Sequence, residues 1–194
     1  MTTTTTTTLR PELRSDRFWL RLTLTGAALG IVGLLMMSAA MLTSAATHES
    51  DFRFGDYVLT VAALPQGVGL LLATYGFHRL QHGRDGKLGT AGIWVYGLCM
   101  TELLIQCTAS VAAGSELIWG PLYPVCALGL MVGLALLAAG SWNVGLLPKW
   151  MLAAWPPLGL VGSFLGIGPI PLFFVAFLVV FAIVLPGRVR NATV

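Results

Sequence analysis

Glu102 is the ionisable residue that lies deepest inside a long apolar run of this sequence. A lone carboxylate in hydrocarbon is costly to ionise, so we expect Glu102 to be either partnered or protonated. Cys99 precedes it by about one helical turn and Gln106 follows it by one turn, so the three side chains share one helix face. A neutral carboxylic acid beside an amide can give up a proton and take one back, which is general acid/base chemistry.

A complete acid/base site needs a second acidic group and side chains that hold the substrate. We predict that Asp56, at the entrance to an earlier apolar run, is the second catalytic residue. Aromatic rings can stabilise the carbocation that forms when an alkene or epoxide is protonated, and amides supply hydrogen bonds. The predicted substrate-binding residues are Gln66, Tyr75, Trp94, Cys99 and Gln106.

The histidines suggest a different chemistry. His78 and His82 are four residues apart, a spacing that puts two imidazoles on one side of a helix and suits a pair of metal ligands. The neighbouring Arg79, Arg84 and Lys87 instead indicate an interfacial loop beside anionic lipid. The sequence also lacks the glycine motifs of nucleotide and dinucleotide sites and the G-x-S-x-G nucleophile motif. We therefore predict neither a metal site nor a cofactor.

The composition indicates that lipid, and not water, surrounds most of this chain. Of the 194 residues, 56% are hydrophobic and only 10% are charged, and the mean hydropathy is +0.82, whereas soluble proteins carry about 25% charged residues. The charges gather in short stretches between long apolar runs, which is typical of membrane-spanning helices. The net charge of +3 comes from basic residues beside these runs, so orientation in a membrane explains it better than nucleic-acid binding does.

The apolar runs predict an all-α, polytopic membrane bundle of six transmembrane helices. Each of the first four runs reaches the ~20 residues that a helix needs to cross about 30 Å of hydrocarbon. The region 150–185 is too long for one helix, and the Gly- and Pro-rich segment 166–171 interrupts it, so we predict two short spans joined by a tight turn. The predicted spans are residues 18–43, 57–77, 88–113, 122–142, 150–165 and 170–185.

The transmembrane bundle is predicted to occupy residues 18–187, between cytoplasmic tails at residues 1–17 and 188–194. The first tail contains an unbroken threonine tract and a charged stretch, which predict disorder. The small residues 44–46 resemble a signal-peptide cleavage site. The run before them is longer than the about 7–15 apolar residues of a signal peptide, which favours an uncleaved first span.

Charge asymmetry predicts a protein of the cell membrane with both ends of the chain in the cytoplasm. With six spans, nearly all Lys and Arg residues lie on one side, and only Arg53 falls on the other. The outer loops receive acidic residues such as Glu49, Asp51 and Glu116. This partition is what the positive-inside rule requires, and a count of five spans would move Arg188 to the outside.

Three small-xxx-small patterns predict close contacts between helices. Membrane helices approach closely where glycines recur every four residues. We interpret these patterns as packing surfaces inside the bundle, with a homodimer interface as the alternative. The patterns are Gly26-x-x-x-Gly30, Gly129-x-x-x-Gly133 and Gly162-x-x-x-Gly166.

Three functional hypotheses remain. The leading one is an intramembrane enzyme that uses Glu102 as the acid in the cyclisation or isomerisation of a lipophilic, isoprenoid-type substrate. The alternatives are an accessory or structural subunit, in which Glu102 docks on a partner helix, and a small proton-coupled transporter. Membrane lipid is the expected surrounding partner, a second copy of the chain or another membrane subunit is the alternative protein partner, and no nucleic acid is expected.

Overall fold

The regular structure of this chain is α-helical throughout the residues that the computed structural model describes, namely 11–43, 54–114, 122–163 and 170–192. Six helices follow one another along the sequence. They are α1 (Pro11–Thr43), α2 (Phe54–Leu80), α3 (Gly86–Ala113), α4 (Leu122–Ser141), α5 (Lys149–Ser163) and α6 (Ile170–Ala192).

Five of these helices, all except α5, are long and apolar enough to cross a bilayer. Their spanning segments contain 20 to 28 residues, which matches the thickness of the hydrocarbon core. Large apolar side chains lie exposed on the outside of the bundle, among them Trp94, Leu98, Phe173 and Ile183. Such a surface is stable where lipid, and not water, surrounds the protein. The chain is a multi-pass membrane protein.

The helix ends differ from the sequence-based expectation at both ends of the chain. The prediction of a short last span is wrong, because α6 has 23 residues and continues through Pro186. In hydrocarbon a broken helix would leave backbone groups without hydrogen bonds, which favours continuing past the proline. Helix α1 begins at Pro11, so part of the segment predicted as a tail is helical.

Helix α5 is short, as the sequence predicted. Its 15 residues rise about 22 Å, less than the ~30 Å hydrocarbon core. The side chain of Phe174 in α6 lies against Gly162 near the end of α5, so the two segments fold back on each other and do not form one continuous helix. The predicted turn at 166–171 lies largely outside the described residues.

The six helices form a closed ring. Each helix packs against the next one in the chain, and α6 packs against α1. Aromatic side chains fill the middle of the ring: Phe77 of α2, Trp155 of α5 and Phe181 of α6 contact one another with ring centroids 5.3 to 5.9 Å apart. This cluster ties α2 to the far side of the ring.

Helices α1 and α2 touch backbone to backbone. A Cβ atom added at Gly26 or Gly69 would lie under 3.0 Å from backbone atoms of the facing helix, so only glycine allows this approach. From one contact to the next, α1 advances toward its C-terminus by the same number of residues as α2 goes back toward its N-terminus, so the two helices keep a single antiparallel register. The facing pairs are Thr23 with Gly76, Gly26 with Ala73, Gly30 with Gly69, and Gly33 with Gln66.

Helices α3 and α4 repeat this arrangement. A Cβ atom at Gly92, Gly133 or Gly140 would also lie under 3.0 Å from backbone atoms of the facing helix. The patterns that begin at Gly26 and Gly129 therefore pack inside the bundle, as predicted. The ring thus contains two tight antiparallel pairs, α1–α2 and α3–α4.

Candidate functional site

Three of the predicted site residues lie together on the side of α3 that faces α4. We call Cys99, Glu102 and Gln106 the Glu102 flank. The Nε2 atom of Gln106 donates a hydrogen bond to Oε1 of Glu102 over 3.1 Å. The Cys99 sulfur lies against Gly129 of α4. All three side chains are half-buried, so the Glu102 flank lies at the rim of the bundle, where the helix pair meets the surrounding lipid.

A small cavity lies elsewhere on α3, between that helix and α2. Its volume is about 40 Å³, and its lining includes Ala63, Gln66, Gly67, Met100, Leu104 and Cys107. Glu102 is not among the lining residues. Successive residues turn by about 100° around a helix, which puts Glu102 roughly 150° away from the side of α3 that lines this cavity. Glu102 and the cavity therefore lie on different faces of α3.

The remaining predicted residues are spread over the molecule. Gln66 lines the cavity between α2 and α3. Tyr75 is 42% exposed and packs edge-on against Trp19 of α1, and Trp94 is 67% exposed on the outside of α3. Asp56 belongs to α2, but its side chain lies outside the described residues. The structure brings together the Glu102 flank and does not bring Gln66, Tyr75 or Trp94 to it.

Gln66 has an incompletely satisfied side chain. It is only 4% exposed, and its Oε1 atom has no hydrogen-bond partner. Its Cβ faces Gly33 of α1, so the side chain leaves a tight helix contact and ends at the cavity wall. A buried carbonyl oxygen without a donor is costly, particularly in a bilayer.

Sequence reasoning missed an imidazole–carboxylate pair at the α2–α3 connection. The Nδ1 atom of His78 lies 2.6 Å from Oδ2 of Asp85, whose side chain is completely buried, and His78 itself is 14% exposed. The absence of a side chain at Gly89 makes room for this carboxylate one turn into α3. The seven-residue separation of His78 and Asp85 across Gly83 was the available signal, but the pairing depends on how the chain reverses.

His82 does not share a helix face with His78, so the four-residue spacing does not bring the two imidazoles together. Helix α2 ends at Leu80, and His82 follows in a turn with a left-handed backbone, φ 51°. Its Nε2 atom lies 2.6 Å from Oδ1 of Asp16 in α1. Each imidazole thus faces its own carboxylate, and the two histidines connect different helices to the α2–α3 connection.

Comparison with protein-family models, with curated proteins and with solved structures found no match for this chain.

Proposed function

We propose that this protein acts on a lipophilic molecule inside the bilayer, with Glu102 as the general acid and base. The observation that carries the proposal is the position of the Glu102–Gln106 hydrogen bond at the rim of the bundle. A half-buried carboxyl group there is reachable from the hydrocarbon without a channel through the protein. The hydrogen bond from Gln106 holds one carboxyl oxygen in place and leaves the other to face a substrate.

The reaction class that fits is isomerisation or cyclisation of an isoprenoid-type alkene. Glu102 would donate its proton to one alkene carbon, which forms a carbocation at the neighbouring carbon. Loss of a proton from an adjacent carbon to the Glu102 carboxylate would regenerate a double bond, so no net proton is consumed. Asp56 in the first turn of α2 is the second acidic group that we propose for catalysis.

Deuterium transfer tests this chemistry even while the substrate is unidentified. The protein in lipid nanodiscs is incubated with a membrane lipid extract in deuterated buffer, and the lipophilic products are examined by mass spectrometry. A species that gains deuterium at carbon with the wild type, and not with Glu102→Gln, supports the proposal. The matched control is Thr108→Val on the same helix. The Thr108 hydroxyl donates a hydrogen bond to the carbonyl oxygen of Leu104 within α3. Equal incorporation with Glu102→Gln, or none with the wild type, would overturn it.

The second candidate is a subunit that docks on a partner helix or a second copy through the Glu102 flank. The partial exposure of Glu102 favours it, because lipid offers a carboxyl group no hydrogen bond and a neighbouring helix can. In that case Glu102→Gln preserves association and Glu102→Leu weakens it. Light scattering of the purified detergent complex measures the mass in both variants, and an unchanged mass with Glu102→Leu removes this candidate.

We also propose that the helix connections rich in Lys and Arg, and both chain ends, face the cytoplasm. The test places single cysteines at Arg190 and at Asp51, after Cys99, Cys107 and Cys126 are replaced by alanine. A membrane-impermeant maleimide applied to whole cells should label only the cysteine at position 51. External labelling at position 190 would reverse the assignment.

A further inference from the structure

The contact between α2 and α3 differs from the two tight helix pairs, and we call it the α2–α3 seam: Gly67 and Leu71 of α2 with Gly97 and Leu104 of α3. A Cβ atom at Gly67 would meet the ends of the Leu104 and Met100 side chains, and one at Gly97 would meet only Leu71, at 3.9 Å. Flexible side chains, and not backbone, therefore separate these two helices. The cavity of about 40 Å³ lies in this seam.

We propose that the α2–α3 cavity binds the hydroxyl end of a neutral, long-chain lipophilic alcohol. Gln66 lines the cavity, and its side-chain oxygen is buried and has no hydrogen-bond donor, so we propose that the ligand supplies an O–H group to this amide. The other lining side chains are apolar or weakly polar, such as Met100, Leu104 and Cys107. A neutral donor suits these surroundings because a cation would lose its hydration without gaining a counter-ion.

The size of the cavity defines how much of the ligand it holds. One water-sized group needs about 10–15 Å³, so 40 Å³ accepts about three or four such groups. That is enough for a hydroxymethyl end and too little for a whole isoprenoid. The rest of the chain has to lie outside the cavity, along the apolar surface of the bundle.

This site is separate from the proposed acid/base chemistry, since the cavity and Glu102 face different directions from α3. Its test therefore uses protein with Glu102 intact and reads binding, not turnover. Failure of the binding test leaves the deuterium experiment standing, and the reverse also holds.

The test is photoaffinity labelling of the protein in nanodiscs with a saturated primary alcohol that carries a diazirine near its hydroxyl. We expect labels on the α3 peptide that contains Met100 and Cys107. Competition by the unlabelled alcohol should remove this labelling, and the methyl ether of the same chain, which cannot donate a hydrogen bond, should compete about three- to tenfold less well. This comparison needs no variant.

Two variants localise the binding. Gly67→Ala should abolish most labelling, because the added methyl pushes Leu104 and Met100 into the cavity, and Gln66→Leu should reduce it about three- to tenfold by removing the acceptor. The matched control is Gly97→Ala, whose added methyl has room in the same seam. Equal competition by alcohol and ether, or no labelling of α3 in the folded wild type, overturns the proposal.

Discussion

Helix α2 makes two contacts of opposite kinds. On one side, Gly69 and Gly76 bring its backbone against the backbone of α1. On the other side, Gly67 faces the side chains of Met100 and Leu104 of α3, and the Leu71 side chain lies near Gly97 of α3. Without water to drive apolar association, helix contacts in lipid depend on close packing and hydrogen bonds. The α1–α2 contact is built for stability, and the α2–α3 seam is the contact with room for a ligand.

Polar side chains join α2 and α3 at separate positions and not along the whole length of the α2–α3 seam. At the connection, His78 and Asp85 join α2 to the first turn of α3. Nearer the middle, the buried Tyr96 side chain of α3 faces the side chain of Thr74 in α2, and the Thr74 hydroxyl donates a hydrogen bond to the carbonyl oxygen of Leu70. Between such points, packing is left to flexible side chains.

The largest effect should come from adding one methyl group to the tight contact. In Gly69→Ala the new Cβ would overlap the backbone of Gly30 and Gly26, and neither backbone can move aside without separating the helices. We expect the free energy of unfolding in mixed micelles to fall by about 3 kcal/mol.

Gly97→Ala makes the same chemical change on the α2–α3 seam, where there is space. It should leave stability unchanged or raise it by up to about 1 kcal/mol through helix propensity. A loss of stability in Gly97→Ala as large as that in Gly69→Ala would erase the distinction between the two contacts.

A smaller effect is expected from Asp85→Ala, which removes the fixed point at the end of the seam. His78 loses a hydrogen bond to a buried carboxylate, so the unfolding free energy should fall by about 2 kcal/mol. The control is Asp16→Ala, which removes the carboxylate partner of the 47%-exposed His82 and should cost less than about 1 kcal/mol. Chemical denaturation followed by circular dichroism measures both, and equal losses would contradict the assignment.

The smallest effect is expected from Tyr96→Phe. This change removes the hydroxyl that faces Thr74 across the seam and keeps the ring in place, so it should cost no more than about 0.6 kcal/mol, the average for hydrogen bonds between membrane helices. Hydrogen exchange of α2 and α3 amides should rise slightly, and that of α1 should not. Faster exchange throughout α1 would show that the tight pair and the seam are mechanically linked.

The sequence predicted the features that depend on local spacing. The hydrogen bond between Gln106 and Glu102 follows from a separation of one turn, and the glycine pattern from Gly26 to Gly30 fixed a packing face without information about the partner. The break between α5 and α6 was also predicted from glycines and prolines. These inferences need only the helical repeat and the chemistry of each residue type.

Features that depend on the partner helix were not predictable. The direction of Glu102 relative to the cavity follows from which helices flank α3, and a lone carboxylate carries no such information. The pairing of His78 with Asp85 requires knowing where α2 ends and how residues 81–85 return the chain. The length of α6 was underestimated because the predicted span ended with the apolar run at residue 185, whereas the helix continues through Pro186 to Ala192, since an interrupted helix is more costly in hydrocarbon.

The constant register of the glycine pairs also limits how this molecule can move. Sliding α1 along α2 by one residue would put a side chain where Gly26 or Gly69 now lies against backbone, so shear within that pair is blocked, and the same holds for α3 against α4. We therefore expect each helix pair to move as a rigid body, and the α2–α3 seam to be the contact at which the two pairs move relative to each other. Two spin labels within one helix pair should keep a constant separation. Labels on opposite sides of the α2–α3 seam should show any change in the distance between the two pairs.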